Sequence, residues 1–124
     1  MKILVTSGGT SEAIDSVRSI TNHSTGRLGK IITETLLAAG HEVCLITTKR
    51  ALKPEAHPNL SIREINNTND LLVVMQELVK KYQVLIHSMA VSDYTPVYMT
   101  GLEEVQASSN LEEFLNKQNH QAKI

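Results

Sequence analysis

The sequence predicts an α/β fold, a mostly parallel sheet flanked by helices. Three observations carry that prediction. Four short strand-like runs lie at residues 2–6, 41–47, 60–65 and 83–87. Two amphipathic stretches at helical spacing, about 26–39 and 67–82, separate them. A polar stretch over residues 7–30, holding four of the six glycines, leads from the first strand through a long loop into the first helix. Apolar runs that do not alternate suit strands buried on both faces, as in parallel sheets. Strand, polar Gly-rich loop and helix in that order make the arrangement Rossmann-like, with ligands beyond the carboxyl ends of the strands.

Residues 2–6 are apolar and β-branched and stop at Gly8-Gly9. Residues 7–25 form a loop long enough to suggest function. Ser24 or Thr25 is expected to cap the first helix. Leu28, Ile31, Ile32, Leu36 and Ala39 are its expected buried face, and Gly40 its stop. Residues 41–47 give the second strand. Pro54 and Pro58 mark a loop, and 60–65 a short third strand. Asn67 or Thr68 starts the second helix, with Leu71, Leu72, Met75, Leu78 and Val79 inward. Residues 83–87 give the fourth strand, and 88–108 are irregular. Ser109 and Glu112 form a capping box for a short helix over 110–117, followed by a polar tail.

A chain of 124 residues suits one domain. Its net charge of −1 lacks the basic surface that nucleic-acid binding needs. No apolar run is long enough to cross a bilayer, and no signal-peptide pattern opens the chain. A cytoplasmic location is therefore expected. Cys44 is the single cysteine, which excludes a disulfide framework and points to a small buried hydrophobe. No histidine pair has metal-ligand spacing, so no metal site is expected.

Three polar segments fall at strand ends, 7–29, 47–50 and 88–94, and could share one crevice. Gly8 and Gly9 permit a tight turn or the close approach of a ligand. Gly26-x-x-Gly29 either opens a helix toward an anion or packs helix on strand. Both in one loop with hydroxyls between them favour a phosphate site. Arg18 and Arg27 could clamp phosphate or carboxylate oxygens; most arginines are merely solvated. Asn22 could bind a carbonyl oxygen under attack or simply form a turn. Asp93 could meet a ribose, a base or a magnesium ion held with phosphates, or form a turn. An NADP-binding oxidoreductase is one competing reading, since Lys49-Arg50 could meet a 2′-phosphate. The first turn is not Gly-x-Gly-x-x-Gly, however, and no acid ends the second strand. A non-catalytic phosphate-ligand binding module is the other.

Thr6-Ser7-Gly8-Gly9-Thr10, followed by Ile14-Asp15-x-Val17-Arg18-x-Ile20-x-Asn22-x-Ser24-x-Gly26-x-x-Gly29, closely resembles phosphopantothenate–cysteine ligase, also called phosphopantothenoylcysteine synthetase. That family is grouped within the DNA/pantothenate metabolism flavoproteins. Met89-Ala90-Val91-Ser92-Asp93-Tyr94 is similar to the family's Ala-Ala-Val-Ala-Asp-Tyr, with Met89 and Ser92 in place of alanines. Lys123-Ile124 falls where the family has Lys-Ile-Lys-Lys. The resemblance implies a ligase of coenzyme A biosynthesis. CTP, with Mg²⁺, activates the carboxylate of 4′-phosphopantothenate as an acyl-cytidylate, releasing pyrophosphate. The amine of cysteine then attacks, giving the amide and CMP. By resemblance, Asn22, Arg18 and Lys123 are catalytic. Gly8, Gly9, Thr10, Ser24, Thr25 and Gly26 bind substrate or phosphate, and Ala90 and Asp93 face the nucleotide. The resemblance also implies a homodimer. No flavin is expected, because nothing resembles the decarboxylase fused to this family in bacteria. The family's domain is about twice as long. The chain resembles its N-terminal half, so residues 1–124 are expected to form a single, incomplete domain that would not complete catalysis alone.

Overall fold

The computed structural model describes residues 1–97. The helix expected at 110–117, its Ser109–Glu112 capping box and Lys123 lie outside the described residues. The elements are β1 (Lys2–Thr6), β2 (Ser11–Ala13), β3 (Ser19–Thr21), α1 (Arg27–Ala38), β4 (Glu42–Thr48), β5 (Leu60–Ile65), α2 (Thr68–Leu78) and β6 (Val84–His87). A 3-10 turn, Val79–Lys81, follows α2.

Strands β5-β4-β1-β6 form one sheet, and every neighbour in it is parallel. This is the α/β, Rossmann-like arrangement that the hydrophobic runs predict. β1 and β4 are central and almost wholly buried. Their alternate side chains feed two cores. Ile3, Val5, Val43 and Leu45 pack with Leu37 of α1 on one face. Leu4, Cys44, Ile46 and Ile65 pack with Leu71, Val74 and Leu78 of α2 on the other. Each fully buried Leu or Ile contributes roughly 1.5–3 kcal/mol, so these two strands anchor the domain. Among the described residues no helix is long and apolar enough to cross a membrane.

The structure corrects the expected start of α1. Neither Ser24 nor Thr25 caps it; Gly26 does, at φ 80°, with no side-chain capping bond. Positive φ is cheap only for glycine, and there a Cβ would also stand 2.9 Å from that of Ala51. The Thr25 hydroxyl instead accepts from Arg27 N at 3.3 Å.

The buried face of α1 also differs. Leu28 and Ile31 are 64% and 49% exposed, whereas Gly29, Thr33 and Leu37 are buried. Gly29 lies directly on Ser7, so the helix meets the sheet along its line of small residues. Leu28 and Ile31 are turned away, while Ile32 and Leu36 of the expected face are partly buried and pack against the core.

α2 behaves closer to its periodicity. Asn67 accepts from Asp70 N at 2.8 Å, and Asp70 Oδ2 accepts from Asn67 N at 3.2 Å. This reciprocal cap stabilises the helix by about 1 kcal/mol. Leu71, Val74 and Leu78 point inward, while Leu72 and Val79 of the expected face are exposed.

Residues 7–25 are not plain loop. β2 and β3 form an antiparallel hairpin pairing Ser11 with Thr21 and Ala13 with Ser19. Distant partners hold it. Ser11 N donates to Asn66 O at 2.7 Å. Glu12, buried, accepts from Thr68 N at 2.9 Å at the start of α2. A carboxylate there complements the helix dipole.

Candidate functional site

Loops that leave β1, β4 and β6 at their carboxyl ends are stitched together. Ser7 N donates to Ile46 O, Ser88 N to Thr6 O, and Ala90 N to Gly8 O. Thr10 N returns a bond to Ala90 O at 3.0 Å, and a parallel bridge joins Gly9 to Ala90. Buried hydroxyls satisfy one another beneath: Ser7 Oγ donates to Thr47 Oγ1 at 2.9 Å. The three polar segments at strand ends therefore meet, as their positions in the sequence imply.

Beside this junction lies a cavity of about 400 Å³, within the range of small-ligand sites. The hairpin, the segment 22–25 that leads into α1, the end of β4 with Lys49 and Arg50, and Asn66 form its walls. Hydroxyls come from Ser11, Ser19, Thr21, Ser24, Thr25 and Thr48. Lys49 and Arg50 make a cationic side, His23 adds an imidazole, and no carboxylate is present among these lining residues. Such a wall can bind an anion through several neutral donors and two cations.

The residues singled out in the sequence are divided by this geometry. Gly9, Asn22, Ser24 and Thr25 line the cavity. Gly8, Thr10 and Gly26 are buried behind it. At Gly8 a Cβ would meet Thr48 Oγ1 at 2.7 Å and Ala51 Cβ at 2.9 Å. Ala90 and Asp93 sit outside the lining, Ala90 bonded to the Gly8–Thr10 segment and Asp93 exposed. Lys123 is outside the described residues. Lys49, Arg50, His23 and Asn66 complete the cavity. The paired cations at a strand end were the signal for the first two; nothing local marks Asn66, which arrives from 44 residues beyond Asn22.

Asn22 is held from both sides. Its Nδ2 donates to Ala90 O and Ser92 Oγ, both at 3.3 Å. Ser92 Oγ in turn lies 2.7 Å from Thr10 Oγ1, which also accepts from Ser92 N at 2.8 Å. A Cβ on Gly9 would fall 2.1 Å from Asn22 O. Only glycine allows the two loops to approach this closely. The amide of Asn22 is thus oriented at the cavity wall by Thr10 and Ser92.

Arg18 is committed to the hairpin turn. Its Nε donates to Asp15 Oδ2 at 2.9 Å, and Asp15 Oδ1 accepts from Val17 N and Arg18 N at 2.8 Å each. The Val17 amide is the first cause that lowers the Asp15 pKa below its ordinary value, and Arg18 adds to it. A depressed carboxyl pKa stabilises the turn above the unfolded value near 4 and loses that effect as pH falls through the folded value. Backbone amide shifts of 15–18 should therefore hold steady above about pH 5 and move together below about pH 4. Shifts that stay constant down to pH 2 would show that Asp15 does not fasten the turn.

The family model for the DNA/pantothenate metabolism flavoprotein C-terminal domain matches residues 1–114. The coenzyme A biosynthesis bifunctional protein CoaBC of Thermococcus kodakarensis is 36% identical over 95 residues, which are 75% of this chain and 23% of that protein. The crystal structure of the DNA/pantothenate metabolism flavoprotein from Streptococcus pneumoniae is 90% identical, with a TM-score of 0.93 over 100% of this chain and 54% of its own. The C-terminal domain of a CoaBC protein is 29% identical, with a TM-score of 0.70 over 98% of this chain and 59% of its own. The chain thus spans about a quarter of the first relative and somewhat over half of each solved structure.

Proposed function

The chain belongs to the DNA/pantothenate metabolism flavoprotein C-terminal domain family, and from that premise we propose that its protein is a ligase of coenzyme A biosynthesis joining 4′-phosphopantothenate to cysteine. The observation that carries the reading is the cavity at the sheet's carboxyl edge, lined by hydroxyls, Lys49, Arg50 and Asn22 and by no acid. An acyl-phosphate chemistry needs such a place, because substrate, nucleotide and intermediate are all anionic.

In this reading CTP is the cosubstrate. The substrate carboxylate attacks its α-phosphorus, pyrophosphate leaves, and an acyl-cytidylate forms. The amine of cysteine adds to the acyl carbon, CMP leaves, and a proton is lost from nitrogen. Ser24, Thr25 and the Gly26 turn hold phosphate oxygens at the start of α1. Lys49 and Arg50 offset their charge. The Asn22 amide orients the acyl carbonyl. Ala90 and Asp93 approach the nucleotide from the β6 loop. Mg²⁺ enters with the nucleotide, as the counter-ion of its phosphates. In this reading the enzyme is a cytoplasmic homodimer without flavin; Lys123 serves its site directly, and Arg18 serves it through the hairpin turn that it fastens to Asp15.

The test uses the full-length protein with 4′-phosphopantothenate, cysteine and CTP, reading pyrophosphate, CMP and the amide product. All three should appear in equal amounts. NADPH is the control, because the Lys49-Arg50 side would also suit its 2′-phosphate. NADPH binding without ligation would sink the ligase and favour an oxidoreductase. Binding of 4′-phosphopantothenate with no product under any nucleotide would leave a binding module.

A further inference from the structure

Lys53 is not a cavity residue, yet it fastens the turn that supplies the cavity's cationic side. Its Nζ donates to Thr48 O at 3.0 Å, Lys49 O at 2.9 Å and Ala51 O at 3.1 Å. An ammonium has three N–H donors, and here each has a backbone acceptor. Glu64 Oε1 stands 3.9 Å from the same nitrogen. The turn also closes through Ala51 N to Thr48 O at 3.2 Å and is tied to the glycine loop by Leu52 N to Thr25 O at 2.8 Å. Ala51 is packed against both Gly8 and Gly26, where added Cβ atoms would come within 2.9 Å of its own.

Converging carbonyls carry partial negative charge. Without a cation among them they repel one another and oppose an anion nearby. Lys49 and Arg50 are exposed, and long exposed side chains do not fix the backbone that bears them. Lys53 is therefore the charged group that sets this backbone.

We propose that Lys53 is a positioning residue: its ammonium gathers the carbonyls of Thr48, Lys49 and Ala51 and so presents Lys49 and Arg50 as one wall toward a phosphate-bearing ligand. The ligand part of this inference rests on reading the cavity as a phosphate site.

Lys53→Met and Lys53→Arg in the full-length protein test it with two readouts. Limited trypsin digestion reports the turn, because cutting after Lys49 or Arg50 requires it to open. The bond after residue 53 precedes Pro54 and resists trypsin, so the substitution neither adds nor removes a cut. Lys53→Met should be cut after Arg50 about tenfold faster, the scale of losing a charge-assisted hydrogen-bond set. Calorimetric titration with inorganic pyrophosphate reports the wall. Lys53→Met should bind it about tenfold more weakly, and Lys53→Arg should recover part of both effects. Native cutting by trypsin in Lys53→Met overturns the inference and leaves the phosphate reading standing. Faster cutting with unchanged pyrophosphate affinity overturns the link from turn to wall. Faster cutting in a protein whose wild type ignores pyrophosphate supports the turn-holding role and counts against the phosphate site.

Discussion

Gly29→Ala is expected to destabilise the domain by roughly 3 kcal/mol and to lower its melting temperature by about 10 °C. Helix propensity predicts the opposite sign, since alanine is better than glycine within a helix by about 1 kcal/mol. Packing decides against propensity. A Cβ at position 29 would lie 2.2 Å from Ser7 Cβ and 3.1 Å from the hydroxyls of Ser7 and Ser88. Ser7 is fully buried, bonded through its amide to Ile46 O and through its hydroxyl to Thr47. It cannot swing aside, so α1 must lift from β1 and weaken the core around Leu37. Gly40→Ala is the control. Gly40, unlike Gly29, has positive φ, at 88°, but nothing lies within 4 Å of its added Cβ, so only backbone strain of about 1–2 kcal/mol applies. Thermal unfolding that ranks the two variants the other way would show that α1 does not rest on Ser7.

Asn22→Asp should slow amide formation in the full-length protein by roughly 10²–10³-fold, the scale of losing one oriented donor at a reacting carbonyl. The new carboxylate cannot donate to Ala90 O or Ser92 Oγ, where the amide nitrogen now does. It also brings negative charge to a cavity lined by none. Rapid-quench kinetics separate the two half-reactions. Pyrophosphate should still be released in a first turnover while CMP release collapses, so that the acyl-cytidylate accumulates. Equal loss of both would assign Asn22 to binding rather than to the amide step. Unchanged CMP release would remove it from the mechanism.

The amino-acid sequence determined the α/β class, the four sheet strands and two helices, and the meeting of three polar segments at one sheet edge. The strands and helices are local features, and the meeting follows from a parallel sheet, which brings the carboxyl ends of its strands to one edge. Apolar runs, Gly40, and the Asn67–Asp70 cap each act within a few residues of the structure they specify. Asn22, Ser24 and Thr25 come to the cavity wall because a strand end and a helix start bracket their loop. Tertiary structure alone decided the rest. β2 and β3 are three residues each, too short for a period to show, and their anchors on Asn66 and Thr68 lie far along the chain. Leu28 and Ile31 have the right spacing for a core face, but the sheet selects the line through Gly29, because close approach rewards a missing side chain over a large one. Arg18 turns to Asp15, and Lys53 gathers three carbonyls, for the same reason. Hydrogen-bond partners are chosen by distance in space, and spacing in sequence carries that information only where chain and space run together.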